Sequence, residues 1–207
     1  MTRLGFLIAR SFRQEDRLQT LSCPVNDIDA LFAGKSVALV GNARKSGPVG
    51  QGAMIEAADL VIRINAAPIP SAASHGNRTD ILALAVGLSS AEVARIRPGR
   101  IFWMSHKRKR LPWAVARSPG FFMPSLEDYQ SLKQRLGAPP STGVLMIDRL
   151  ARSRARQISI YGFDFFASLS LSGSRTATQV PHDFRAEQRF VENLLSKDSR
   201  FDLITAP

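Results

Sequence analysis

The sequence predicts a single α/β domain with a mostly parallel central sheet flanked by helices, in a Rossmann-like arrangement. Short apolar runs typical of buried strands recur along the chain, and helical patterns alternate with them. A glycine-rich segment joins the first of these runs to the first helical pattern. With 207 residues the chain is long enough for one domain with its own core. We expect residues 1–34 to be an N-terminal lead-in and residues 35–207 to form the domain.

Six segments have strand character because they are short and rich in apolar or β-branched residues. The predicted strands are residues 36–41, 60–65, 80–86, 101–104, 158–162 and 201–204. The helical patterns are residues 53–58, residues 90–96, a segment from the proline stop at 139–140 to about residue 156, and residues 183–195. The segment at residues 164–181, rich in serine and threonine, is predicted to be a loop. Strands that alternate with helices favour a parallel sheet.

The composition is that of a globular protein, with 44% hydrophobic and 22% charged residues. No apolar run reaches the roughly 18 residues that a membrane-spanning helix requires. The apolar stretch near the start is too short for a secretory signal. The single cysteine, Cys23, rules out an internal disulfide and is typical of a reducing compartment. We therefore expect a cytoplasmic protein.

The net charge of +11 favours anionic partners, such as nucleic acid, an acidic membrane surface or anionic sugars. Cations are dense at residues 106–110, and Arg149, Arg152 and Arg156 fall near one face of a predicted helix. Both groups also fit an ordinary solvated surface. Basic and aromatic residues do not form a base-stacking platform, so no specific nucleic acid is expected. Peripheral association with a membrane surface is compatible with the charge.

Residues 41–52 form a glycine-rich loop between the first strand and the first helix. Such a loop gathers free backbone N–H groups and a helix N-terminus, which favours an anion. A phosphate-binding P-loop is excluded because Gly47 is followed by Pro48, and a dinucleotide site would need an acid where Asn65 stands. A tight packing turn would explain the glycines. It would not explain Asn42 and Asn65, which follow the first two strands and could read a base or ribose.

Three segments in this order resemble the sialylmotifs of glycosyltransferase family 29, the sialyltransferases. The segment at residues 36–68 is similar to the large motif, residues 140–143 with 160–163 to the small motif, and residues 182–187 to the very small motif, H-x-x-x-x-E. The matching positions of the large motif are Val40, Gly41, Asn42, Gly50, Gly52, Asp59, Val61, Ile62, Arg63, Asn65, Ala67 and Pro68. The resemblance spans about residues 36–195. It implies a short, bacterial-type member with the GT-A-like variant of the fold found in sialyltransferases.

The resemblance also implies a binding site for a CMP-sugar donor. The donor-binding residues that it implies are Gly41, Asn42, Asn65, Ser141, Thr142 and Gly143. Ser141 or Thr142 can cap the helix that follows, and the helix N-terminus would attract the carboxylate of an acidic sugar. Taken without the resemblance, these two residues fit a plain helix cap equally well.

His182 matches the general base of the family, and Glu187 is assigned an orienting role. A neutral imidazole suits the removal of a proton from an acceptor hydroxyl. Asp183 is a good N-cap for the next helix, whose positive end would help to keep the imidazole neutral. Without the resemblance, a lone histidine in front of a helix would more often be a surface or structural residue.

The chain departs from the animal enzymes at residues 164–181, which contain no histidine to meet the leaving phosphate. Arg175 is expected to supply a cation to the phosphate instead. No cofactor or metal is expected, since side chains can carry the phosphate charge and the three histidines lack ligand spacing. The resemblance thus implies an inverting transfer of sialic acid or a related acidic sugar from a CMP-sugar to a glycan, for example a surface-polysaccharide precursor. The alternative is a non-catalytic CMP- or nucleotide-binding accessory protein that keeps the fold.

Overall fold

The computed structural model describes residues 1–42, 50–66, 69–163 and 181–204. Within these ranges a single six-stranded sheet is present, and all of its strands are parallel. The strands are β1 (Ser36–Val40), β2 (Leu60–Ile64), β3 (Ile81–Leu84), β4 (Arg100–Trp103), β5 (Gln157–Tyr161) and β6 (Phe201–Ile204). All six predicted strands are confirmed, and so is the α/β class. Arg175 and most of the glycine-rich loop, at residues 43–49, lie outside the described residues.

The helices in the described ranges flank the sheet. They are α1 (Arg3–Ser11), α2 (Glu15–Gln19), α3 (Val25–Phe32), α4 (Gly52–Ala57), α5 (Ala72–His75), α6 (Ser90–Ile96), α7 (Trp113–Ala116), α8 (Leu126–Leu136), α9 (Thr142–Ala151) and α10 (Phe184–Lys197). A short 3-10 turn covers Arg108–Arg110. Residues 1–34, for which no helix was predicted, contain the first three helices. Helix α9 ends at Ala151 rather than near residue 156, because the chain turns at Arg152 to enter β5.

The strand order is β4-β3-β2-β1-β5-β6. From β1 the chain moves outward through β2 and β3 to β4, and then returns to the other side of β1 to form β5 and β6. The connections that leave β1 and β5 therefore diverge, and such a switch point opens a crevice at the carboxyl ends of the strands where ligands bind. Val40 of β1 is in register with Tyr161 of β5, so Gly41 and Gly162 follow side by side at this point.

The core lies on both faces of the sheet. On one face α9 buries every residue from 143 to 150, and its apolar side chains pack with those of β1, β2, β3 and β5 and with α3, α8 and α10. On the other face α1, α2 and α7 cover β3 and β4, while α4 covers β1 and β2. This packing fixes the N-terminus of α9 at the carboxyl edge of the sheet. No helix of the described ranges is both long and apolar enough to cross a membrane.

Candidate functional site

Phe163 fits between two glycines at the switch point of the sheet. A Cβ atom on Gly41 would lie 2.7 Å from the Phe163 ring and 2.5 Å from the carbonyl oxygen of Gly162. A Cβ atom on Gly143 would lie 2.6 Å from the same ring. Both contacts are shorter than real Cβ contacts allow, so both glycines are needed for the close approach of the chain. The ring thus joins the end of β5 to the end of β1 and to the first turn of α9.

Asn42 and Asn65 are brought together at the carboxyl ends of β1 and β2. The side-chain amide of Asn42 donates to the carbonyl oxygen of Ile64, 3.2 Å away, directly before Asn65. Asn65 has a φ of 53°, a left-handed conformation that asparagine tolerates better than most residues. Its Oδ1 accepts a hydrogen bond from the backbone N–H of Ala85 at 3.0 Å, which links the ends of β2 and β3. The two carboxamides therefore form one polar edge above the sheet.

Ser141 caps α9 and is itself held by Glu187. The Ser141 hydroxyl accepts from the backbone N–H of Val144 at 3.3 Å. Glu187 of α10 accepts two hydrogen bonds from Ser141, one from its N–H at 2.6 Å and one from its hydroxyl at 2.7 Å. The carboxylate thus occupies the N-terminus of α9, where a negative charge is favourable. Thr142 and Gly143 form the first turn of the same helix.

The Glu187 carboxyl is almost fully buried, with 4% of the residue exposed. This burial raises its pKa to about 7, and the nearby charge of Asp183 adds to the increase. The hydrogen bonds from Ser141 act in the opposite direction, since they favour the ionised form, but burial has the larger effect. Glu187 therefore changes its charge close to neutral pH while it holds the N-terminus of α9.

His182 is held by the segment that precedes α9. Its Nδ1 lies 2.8 Å from the carbonyl oxygen of Pro139, which can only accept, so Nδ1 carries the proton of the neutral ring. The other nitrogen, Nε2, then has a lone pair. Burial lowers the pKa of His182, and the positive charge of Lys107 lowers it further, against the opposing effect of the Pro139 carbonyl. Asp183 accepts from the N–H of Ala186 at 3.0 Å, which confirms it as the N-cap of α10.

The fold has counterparts among solved structures. A mammalian sialyltransferase in complex with Gal-beta-1-3GalNAc-ortho-nitrophenol matches 98% of this chain and 85% of its own, with a TM-score of 0.65 and 17% sequence identity. Another structure of a mammalian sialyltransferase matches 92% of this chain and 77% of its own, with a TM-score of 0.66 and 20% identity. The chain has a sialyltransferase-like fold.

The likeness lies in the fold rather than in the overall sequence. No protein-family model matches the chain, and no curated protein matches it significantly at the sequence level. Membership of glycosyltransferase family 29 and a bacterial type therefore remain predictions. The sialyltransferase-like fold agrees with the α/β class that the sequence predicted.

Most residues implied by the resemblance gather at one edge of this sialyltransferase-like sheet. The hydrogen bonds and close contacts given above connect the ends of β1, β2 and β5 with the N-termini of α9 and α10. Glu187 makes its described hydrogen bonds with Ser141 and thus holds the start of α9. Arg175, the expected phosphate contact, lies outside the described residues.

Two residues near the site were given no binding or catalytic role in the sequence analysis, although Arg63 is a matching position of the large motif and Lys107 belongs to the basic cluster at residues 106–110. Lys107, in the basic segment after β4, is close enough to His182 to lower its pKa, a proximity that no local pattern reveals. Arg63 is buried in β2 and donates to the carbonyl oxygens of His75 and Arg78 at 2.7 and 3.0 Å. Burial lowers the pKa of Arg63 to about 10. The sequence did offer a signal for this residue, since Arg63 is a charged residue within an otherwise apolar strand, two positions before Asn65.

Proposed function

We propose that the chain is an inverting glycosyltransferase that transfers sialic acid, or a related acidic sugar, from a CMP-sugar to a glycan acceptor. The observation that carries the proposal is the hydrogen bond from His182 Nδ1 to the Pro139 carbonyl. It leaves Nε2 as the basic nitrogen of a ring whose pKa is already lowered. A base of this kind remains unprotonated at neutral pH, as proton removal from a sugar hydroxyl requires.

In the proposed step the acceptor oxygen attacks the anomeric carbon of the donor sugar. Its proton moves to Nε2 of His182 as the new glycosidic bond forms. The bond between the anomeric carbon and the phosphate oxygen breaks at the same time, and CMP leaves with the bonding pair. Attack and departure on opposite faces of the sugar invert the configuration at that carbon.

The donor is proposed to lie over the carboxyl ends of β1 and β2. Asn42 and Asn65 would contact the nucleotide, and Thr142 and Gly143, in the first turn of α9 next to the position that Glu187 occupies, would face the donor sugar. The charge on the departing CMP would be carried by side chains, for which Arg175 remains our candidate. The described ranges contain no group of three or more His, Cys, Asp or Glu residues that could hold a metal ion. We propose a reaction without a metal on the basis of the side-chain chemistry alone.

Calorimetric titration with CMP and with a CMP-sugar tests the donor class directly. We expect saturable binding of both, and a chain that binds neither contradicts the proposal. His182→Ala should abolish transfer to a glycan panel while CMP affinity stays within about twofold, because the imidazole acts on the acceptor side. His106→Ala is the matched control: this half-buried histidine stacks on Tyr129 with ring centres 4.1 Å apart, and its loss should leave transfer measurable.

The same assays distinguish the enzyme from an accessory protein that keeps the fold. CMP binding without turnover, across acceptors that include surface-polysaccharide precursors, would assign the accessory role. Turnover lost in His182→Ala and retained in His106→Ala would assign the enzyme. We propose a cytoplasmic location for this activity, where CMP-sugars would be available to it.

A further inference from the structure

Helix α1 has an exposed apolar stripe on the side that the fold leaves uncovered. Leu4 is 69% exposed and Ile8 is 41% exposed, and Phe12, at the C-cap, is 75% exposed. Their spacing of four residues aligns them along one face of the helix. The opposite side of the helix is anchored, since Phe6 and Ala9 are fully buried. The stripe is therefore held rigidly outward.

A basic turn, defined here as residues 107–110, is fastened beside this helix. Arg10 of α1 donates to the carbonyl oxygen of Leu111 at 3.0 Å. The buried Arg108 of the turn pairs with Glu15 of α2 at 2.6 Å, so Arg108 and Glu15 neutralise each other. The exposed cations of α1, of the residues that follow it and of the basic turn are Arg3, Arg13, Arg17, Lys107, Lys109 and Arg110, and of these Arg3 and Arg13 directly flank Leu4 and Phe12 at the two ends of the stripe. Asp16 is the exposed acid of the same segment.

We propose that α1 and the basic turn dock on an anionic lipid bilayer, with the apolar stripe inserted among the acyl chains at the interface. An apolar face bordered by cations is the pattern of a helix that lies in the plane of a membrane surface. Apolar side chains supply insertion, and lysine and arginine supply attraction to acidic headgroups. The helix is too short to span, so it lies on the bilayer.

Charge decides between a membrane and a second copy of the chain as the occupant. A twofold contact through the stripe would bring the same surface of both copies together. The bordering cations would then face identical cations, in a molecule whose net charge is already +11. An anionic bilayer instead offers opposite charge to the same border. The proposal does not depend on the transferase reaction.

Vesicle flotation tests the apolar part of the proposal. The full chain should float with vesicles of phosphatidylcholine and phosphatidylglycerol and remain unbound with phosphatidylcholine alone. Leu4→Gln combined with Phe12→Gln should weaken this binding by about tenfold or more, since it removes the inserted side chains. The control pair is Met54→Gln with Val86→Gln, which are 55% and 47% exposed elsewhere on the surface and should bind as the wild type does.

A charge-reversal experiment with a control variant of the same net charge tests the cations of the basic turn. Replacement of Lys107, Lys109 and Arg110 by glutamate should abolish flotation, and high salt should release the wild type. Replacement of Arg95, Arg154 and Arg189, which are exposed outside this surface, by glutamate makes the same change in net charge and should weaken binding much less.

Three results would overturn the proposal. The first is equal binding of the wild type to neutral and anionic vesicles. The second is unchanged vesicle binding by the variant that combines Leu4→Gln with Phe12→Gln. The third is an equal loss of vesicle binding in the two charge-reversed variants. Light scattering of the chain without vesicles tests whether a second copy of the chain covers the stripe instead. A dimer that Phe12→Gln converts to a monomer, without any vesicle binding by the wild type, would assign the stripe to a second copy.

Discussion

Glu187 in the first turn of α10 accepts hydrogen bonds from both the backbone N–H and the hydroxyl of Ser141, which caps α9. The contact joins two segments that lie 46 residues apart in the chain. It holds the start of α10, which follows His182, against the start of α9 at the carboxyl edge of the sheet. The spacing between the candidate base and the proposed donor site therefore depends on one buried carboxyl.

The ionisation of Glu187 should make the stability of the fold depend on pH. Its pKa is raised from 4.5 to about 7, so between these values the folded state keeps a proton that the unfolded chain has lost. Ionisation of Glu187 should therefore contribute a fall of up to about 3 kcal/mol in the free energy of unfolding as pH rises from 4.5 to 7, against the opposite contribution of His75 and His182, whose pKa values are lowered. Glu187→Gln should remove this slope in denaturant titrations. Glu192→Gln, at an exposed position of the same helix, should retain it.

The contact of Phe163 with Gly143 should behave as an overpacked site when the glycine is enlarged. Gly143→Ala adds a methyl group only 2.6 Å from the ring and should destabilise the fold by about 1–3 kcal/mol, despite the better helix propensity of alanine. In a Phe163→Leu background the same substitution should cost clearly less. A double-mutant cycle in denaturant measures this coupling. Equal effects of Gly143→Ala in both backgrounds would show that the ring does not require the glycine.

The strands were predictable because parallel strands covered on both faces read as continuous apolar runs. Helix α8 was not assigned, since only Tyr129, Leu132 and Leu136 of its eleven residues are buried. Its caps, Ser125 and Gly137, were the signals that could have revealed it. Short helices such as α2 depend on tertiary contacts more than on their own periodicity.

The closeness of Asn42 and Asn65 could be predicted from the sequence because topology controls it. Asn42 and Asn65 follow neighbouring parallel strands, and the carboxyl ends of such strands meet at one edge of the sheet. The contact between Ser141 and Glu187, and the electrostatic effect of Lys107 on the pKa of His182, depend instead on how separate elements pack. Local patterns do not encode such distances.

Substitutions at Asn65 should separate its conformational role from ligand binding. Asn65→Ala should destabilise the fold by about 1–2 kcal/mol, because alanine tolerates a φ of 53° less well and cannot accept from Ala85. Asn65→Gly should recover part of this loss, since glycine adopts positive φ freely. If the carboxamide contacts the donor, CMP affinity measured by calorimetry should stay low in both variants. Recovery of affinity in Asn65→Gly would assign the residue a purely conformational role.

The acid limb of the pH profile should report the charge of Lys107. Transfer requires the neutral form of His182, so kcat/KM should fall only as the pH drops through a pKa that lies below the ordinary value of 6.5. Lys107→Gln removes a positive charge that lowers this pKa, and the acid limb should move to higher pH with little change in the plateau. Lys109→Gln, an exposed neighbour in the same basic turn, should leave the limb in place. If both variants move the limb equally, the general field of the basic turn acts on His182 rather than Lys107 itself. If neither substitution moves the acid limb of kcat/KM, or if His182→Gln leaves that limb unchanged, His182 is not the base.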